Sequence, residues 1–199
     1  MAPELILASR SPMRRQLLED AGIVVTCRAA DIDEAALRAG LEAEGASPRD
    51  VADTLAEHKA RKISPRAPEA LVVGCDQVLV LGGAVLAKPE SPEALRTQLA
   101  RMRNRSPHLV SAAVVYKDGA PQWRAVETAE LLMRNLSDAY LDGYVARNWE
   151  DVSGSVGGFR IEAEGVRLFS RIDGSFHAIL GLPLLSLIGY LGQCGVIET

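Results

Sequence analysis

Apolar and polar positions alternate along this chain with periods that change from segment to segment. A short apolar run, Glu4–Ala8, reads as a buried strand, and Pro12–Ala21 follows it as a helix that stops at Gly22. Ile23–Cys27 is rich in β-formers and predicts a second strand. Residues 35–47 hold Ala, Glu and Gly with few large apolar side chains, and they predict a mobile segment after an acidic loop at Asp31–Glu34. Pro48–Ile63 has a helical period and ends at Ser64, Pro65 and Pro68. Ala70–Leu81 is almost continuously apolar, and Gly82-Gly83 turns it into Ala84–Ala87 as a hairpin.

Further along, Ser91–Met102 is a helix with Ser91 as its cap. Leu109–Tyr116 and Trp123–Arg134 are strands joined at Lys117–Gly119, and Ser137 caps a helix reaching to about Ala146. Ser153–Gly158 is a Gly-rich loop. Val166–Ile172 and Ser175–Leu180 read as strands around Asp173-Gly174, and Pro183–Leu191 begins the last helix. Frequent hairpins beside strand–helix alternation predict an α/β fold with a mixed sheet.

Several positions break this pattern. Ser11 and Pro12 make a good helix start, yet the first turn carries Arg14 and Arg15, with Arg10 just before it, where acids would be favoured. Cations gathered at the positive end of a helix suit an anion held there, and forked guanidinium donors match phosphate oxygens. The plainer alternative is a solvated basic turn. Lys59 falls at about 80° on a wheel whose apolar arc runs from about 0° to 180°. It must snorkel to water or meet a buried anion.

Asp76 interrupts the apolar strand, and a carboxylate there is costly unless paired, hydrogen-bonded or metal-bound. Gln77 beside it is a second polar intrusion. Lys88 follows on the return strand. A two-residue turn would set it opposite Gln77, whereas an odd loop or a bulge would bring it to the face of Asp76. If both serve one site, the second geometry is expected. Asp31, Asp33 and Glu34 form an acidic loop that, beside Asp76, could hold a hard divalent cation through oxygens.

Composition narrows the class. With 199 residues the chain can bury one sizeable core, and a net charge of −4 argues against general nucleic-acid binding. A basic cluster on an acidic protein points to a small anionic ligand. Cys27, Cys75 and Cys194 are widely spaced, with no metal-type pattern, so a reduced cytoplasmic setting is expected. No apolar run is long enough to span a membrane.

LILASRSPMRRQLL at 5–18, DIDE at 31–34, HKA at 58–60, GCDQV at 74–78 and AKP at 87–89 stand in the order found in the Maf family of nucleotide pyrophosphatases. GFRIEAEGVRLFSRIDGS at 158–175 and LGLPL at 180–184 resemble its C-terminal half, so the resemblance covers nearly the whole chain. It implies a cytoplasmic hydrolase, dependent on Mg²⁺ or Mn²⁺, that cleaves a nucleoside triphosphate between the α and β phosphates. The implied fold is one domain over residues 1–199, with an elongated mixed central sheet, flanking helices and a deep cleft between two lobes. A homodimer is expected, with no nucleic acid or membrane as partner.

By resemblance, Asp76 corresponds to the general base. Ser9, Arg14, Arg15, Glu34, Lys59 and Lys88 match the family's cleft residues, and backbone N–H groups near Ser11 would join them on the triphosphate. Glu34 and Asp76 would hold the metal; whether Asp76 takes the water's proton or ligates the ion stays open. Met13, Gln77 and Glu162 occupy the family's three specificity positions. Gln77 and Glu162 resemble the branch acting on 7-methyl-GTP, which carries Trp in place of Met13. A carboxylate at Glu162 also suits guanine's N1–H and N2–H₂ donors. The rival expectation is a nucleotide-binding regulator of cell division that scarcely turns over.

Overall fold

The computed structural model describes residues 3–198. The first strand, β1 (Leu5–Leu7), is followed by α1 (Pro12–Asp20), β2 (Thr26–Cys27), α2 (Glu34–Ala43) and α3 (Pro48–Ile63). The middle of the chain carries β3 (Leu71–Leu81), β4 (Ala84–Leu86), α4 (Pro92–Met102), β5 (His108–Lys117) and β6 (Ala120–Met133). The last third carries α5 (Asp138–Val152), β7 (Phe169–Asp173), α6 (Phe176–Ile179) and α7 (Leu184–Gln193). The sheet runs β2-β1-β3-β5-β6-β7, with β4 also paired to β3. It is mixed as expected: β1 pairs in parallel with β2 and β3, while β3–β4 and β6–β7 are antiparallel. The chain divides into two compact units, one made of residues up to Gln77, Val110–Glu127 and Ser175 onward, the other of Val78–Leu109 and Thr128–Gly174.

In the first unit, one face of the sheet builds a core from Leu5 and Leu7 of β1, Val73 and Cys75 of β3, and Ala113 and Val115 of β5. Leu17 and Leu18 of α1 and Leu187 and Leu191 of α7 pack on it. Side chains alternate along β3, so Gly74 and Asp76 point to the opposite face. There α3 lies directly on the strand. A Cβ on Gly74 would sit 2.0 Å from the Ala56 carbonyl oxygen and 2.6 Å from the Ala60 nitrogen. The buried face of α3 is Val51, Ala52, Leu55, Ala56, Lys59, Ala60 and Ile63, which is the arc the wheel predicts, with Lys59 inside it.

In the second unit, α4 and α5 are joined at the surface by Arg96, which reaches Asp138 at 3.0 Å and Asp142 at 2.9 Å. Phe159 meets Phe169 edge-on at 4.8 Å. Glu164 accepts from Arg147 at 2.6 Å and from Asn148 at 3.0 Å.

Five expectations are corrected. Residues 35–47 are no mobile segment, because α2 spans most of them. Asp33 is its N-cap, accepting from the Ala36 N–H at 2.9 Å. Small residues hide the helix from a periodicity reading, since none of its side chains is buried. Ser175–Leu180 is not a strand: Ser175 caps the four-residue helix α6, the usual ambiguity of a short apolar run. Strand β7 begins at Phe169, after a 3-10 turn over Glu164–Leu168, and β2 keeps only Thr26–Cys27 of its predicted length.

The hairpin provides the fifth correction. Leu81 pairs with Ala84 across Gly82-Gly83, whose φ values of 61° and 85° make a two-residue primed turn. The odd loop or bulge that would align Lys88 with Asp76 is not formed. The ladder's last pair is Leu79 with Leu86, so Lys88 lies two residues beyond it, exposed and not held by strand register.

Candidate active site

Lys59 and Asp76 meet because α3 touches β3 at Gly74. Lys59 lies one turn along the helix face from Ala56, and Asp76 lies two residues along the strand face from Gly74. The Lys59 Nζ is 2.7 Å from Asp76 Oδ1. It also reaches Glu34 Oε2 at 3.0 Å and donates to the Cys75 carbonyl at 3.4 Å, which uses all three ammonium protons. The two partners differ in burial: the Asp76 side chain is 6% exposed and that of Glu34, in the first turn of α2, is 46% exposed. Asp76 Oδ2 is buried without any hydrogen-bond partner. Lys59 therefore does not snorkel; it meets a buried anion, and the costly carboxylate of β3 is half satisfied.

The start of α1 is built as predicted but used differently. Ser11 accepts from the Arg14 N–H at 3.3 Å, and Ser9 accepts from the Ser11 N–H at 3.1 Å. The Arg14 guanidinium is turned inward. Its Nε donates to the Gly181 carbonyl at 2.8 Å and its Nη1 to the Cys75 carbonyl at 3.0 Å, with a long contact of 3.5 Å to Ser9 Oγ. Gly181 has φ of 101°, and a Cβ there would crowd Arg14 Nε at 3.2 Å. Arg14 thus stitches α1 to β3, to Ser9 and to the loop before α7, and the Cys75 carbonyl takes Arg14 as well as Lys59. Arg15 lies exposed against Glu19 at 2.7 Å, and Arg10 faces Asp31 at 3.9 Å. The broken electrostatic rule at this helix start is partly answered by carbonyl oxygens and two surface acids.

Gln77 points away from Asp76, on the other face of β3. Its amide nitrogen donates to Ser111 Oγ at 2.9 Å and to the carbonyls of Ala178 and Ile179 at 3.0 Å each. Ser111, fully buried, donates to the Ala178 carbonyl at 2.6 Å. With its N–H₂ group committed to α6, Gln77 has only its carbonyl oxygen left to offer. Met13 leans on the first unit's core. Glu162, in the second unit, accepts from Arg160 at 2.7 Å. Burial pushes the Cys75 thiol up to about 11, which leaves it neutral and unreactive beside Asp76.

Sequence reasoning missed Gly74, Ser111 and Gly181. A glycine inside an apolar strand is itself a signal of close backbone approach, and a lone serine in Leu109–Tyr116 signals a buried hydrogen bond. Among the described residues there is no group of three or more His, Cys, Asp and Glu side chains suited to a metal. Asp76 and Glu34 are the two carboxylates that come together, both on Lys59. No helix of the described residues is long and apolar enough to cross a membrane.

A family model described as Maf-like protein matches residues 4–194, and the chain belongs to that family. It is 52% identical over 199 residues to a nucleoside triphosphate pyrophosphatase of Ruegeria pomeroyi, covering all of both chains. It is 51% identical over 198 residues to a protein of the same name from Ruegeria sp., again covering all of both. It is also 44% identical over 191 residues to a 7-methyl-GTP pyrophosphatase of Brucella abortus, covering 96% of each.

Proposed function

We propose that this chain is a nucleoside triphosphate pyrophosphatase, a hydrolase that splits the bond between the α and β phosphates and releases the monophosphate and pyrophosphate. The observation that carries the reading is the buried carboxylate of Asp76, with Oδ2 unpartnered and Oδ1 fixed by Lys59. A rigid acid with one free oxygen suits work on a water molecule or a cation, and the full-length relatives named for this reaction support that use.

The donor set also fits a Mg²⁺ or Mn²⁺ ion. Such ions take one or two carboxylates and complete their shell with water and substrate phosphates, and Asp76 Oδ2 with the half-exposed Glu34 supplies that much. When bound, the ion would offset the charge that grows on the phosphate oxygens. Asp76 Oδ2 either takes the attacking water's proton directly or holds the ion that would lower the water's pKa. Lys59 keeps the Asp76 carboxylate oriented and adds positive charge. Ser9, Ser11 and Arg15 are assigned to the triphosphate, with Arg14 fixing Ser9 and the Cys75 and Gly181 carbonyls beside them. The reading includes a cytoplasmic homodimer.

Within the family the substrate leans to 7-methyl-GTP. Gln77 keeps a free carbonyl oxygen, which accepts hydrogen bonds of the kind guanine donates, and Glu162 is the residue that the resemblance associates with that branch. Brucella relatives of that name support it. The test is a panel of standard and methylated nucleoside triphosphates with Mg²⁺ or Mn²⁺, read by pyrophosphate release. The highest kcat/KM is expected on 7-methyl-GTP; a preference for UTP or dTTP overturns the lean. Asp76→Asn should lower kcat by about 10²-fold or more with the fold intact. A folded variant with near-normal turnover removes Asp76 from the role, and binding of every nucleotide without turnover favours a regulator of cell division.

A further inference from the structure

We propose that Lys59 acts as the resident cation of the Asp76–Glu34 pair, so that divalent metal is captured only together with the nucleotide. This rests on the pyrophosphatase reading. The Lys59 ammonium lies within 3.0 Å of both carboxylates and its side chain is 8% exposed. One positive charge is thus built into a site of two negative ones, and Lys59 holds one oxygen of each acid. What remains for an ion is Asp76 Oδ2, buried and unpartnered, and the second oxygen of Glu34.

Two oxygens are a small part of the six that such ions require. No third metal-binding side chain joins them among the described residues. Any ion at Oδ2 would also share its ligands with an ammonium, at a buried position where like charges are poorly screened. The nucleotide-free protein is therefore a poor metal site, although both family carboxylates are present.

A triphosphate changes both terms. It brings the missing oxygens, and its negative charge outweighs the lysine. It also gives Lys59 another partner, because Glu34 is half-exposed and can release its end of the contact. The lysine thereby orders the encounter: nucleotide with its ion, rather than ion first. It also keeps the buried Asp76 paired while the site waits.

The experiment is a Mn²⁺ titration of the full chain, with free Mn²⁺ read by electron paramagnetic resonance. It is run on the protein alone, with α,β-methylene-GTP, and on Lys59→Gln and Lys59→Arg without nucleotide. The natural protein alone should bind Mn²⁺ at least about tenfold more weakly than with the analogue, after correction for Mn²⁺ on the analogue itself. Lys59→Gln should bind Mn²⁺ alone about tenfold more tightly than the natural protein, and Lys59→Arg should stay weak.

Equal affinity with and without the analogue overturns the proposal, as does a folded Lys59→Gln that binds Mn²⁺ no better. If circular dichroism shows Lys59→Gln unfolded, Lys59→Met is titrated in its place, with the same tightening expected and its absence overturning the proposal. If calorimetry shows that the analogue does not bind, the nucleotide reading fails, while the metal-only comparison of the variants still decides the role of Lys59.

Discussion

Gly74 faces the Ala56 carbonyl so closely that a methyl group on it would lie 2.0 Å from the oxygen, well inside any allowed contact. The obstacle is helix backbone rather than a movable side chain, so α3 would have to lift from β3. Gly74→Ala should destabilise the protein by about 3 kcal/mol, read by urea unfolding. It should also cost activity at temperatures where the variant is folded, because lifting α3 draws Lys59 from Asp76. Full activity in the folded variant would mean that the lysine is not held there by this contact.

Arg14 separates a structural cation from a ligand-binding one. Its forked donors span the Gly181 and Cys75 carbonyls at 2.8 and 3.0 Å, a geometry that one ammonium does not reproduce. Arg14→Lys should therefore lower stability by about 2 kcal/mol although the charge is kept. Thermal unfolding checks it. A substitution that leaves stability unchanged and raises only KM would return Arg14 to the triphosphate.

Glu164 sets an acid limit on the second unit. Hydrogen bonding from Arg147, then from Asn148, holds its carboxyl down to about 2 from an ordinary value of 4.5. A carboxyl lowered in the folded state favours folding above its unfolded value. That contribution is lost as pH falls from about 4.5 towards 2. Urea midpoints measured across this window should fall with pH in the natural protein and fall less steeply in Glu164→Gln. Parallel slopes would show that the pairing with Arg147 does not persist in solution.

Much of the site was legible before any fold was known, because it consists of violated rules. Asp76 inside an apolar strand demanded a partner, Lys59 inside an apolar helical arc had either to snorkel or to meet an anion, and each is the other's partner. The helix start at Ser11 was equally plain, since capping is a local matter. Less was legible where the signal was weak or shared between conformations. Residues 35–47 carry no buried face to give a period, and Ser175–Leu180 is short enough to be strand or helix. Gln77 was visible as an intrusion, but its bonds to Ser111, Ala178 and Ile179 join positions up to 102 residues apart.

The sequence by itself determined most of the strand–helix order apart from α2 and α6, most of the capped helix starts, the apolar face of α3 and the family to which these motifs belong. The elements depend on residues within a turn or two of one another, where propensity and period act, and the family on short local motifs kept in one order. Only the tertiary structure decided that the guanidinium of Arg14 turns inward to two carbonyls, that Lys59 is shared by Asp76 and Glu34, and that one oxygen of Asp76 is left free. Those outcomes depend on how closely α3 can approach β3 and which carbonyls lie within reach of a side chain. Distances between segments far apart in the chain are set by packing, and no local pattern carries them.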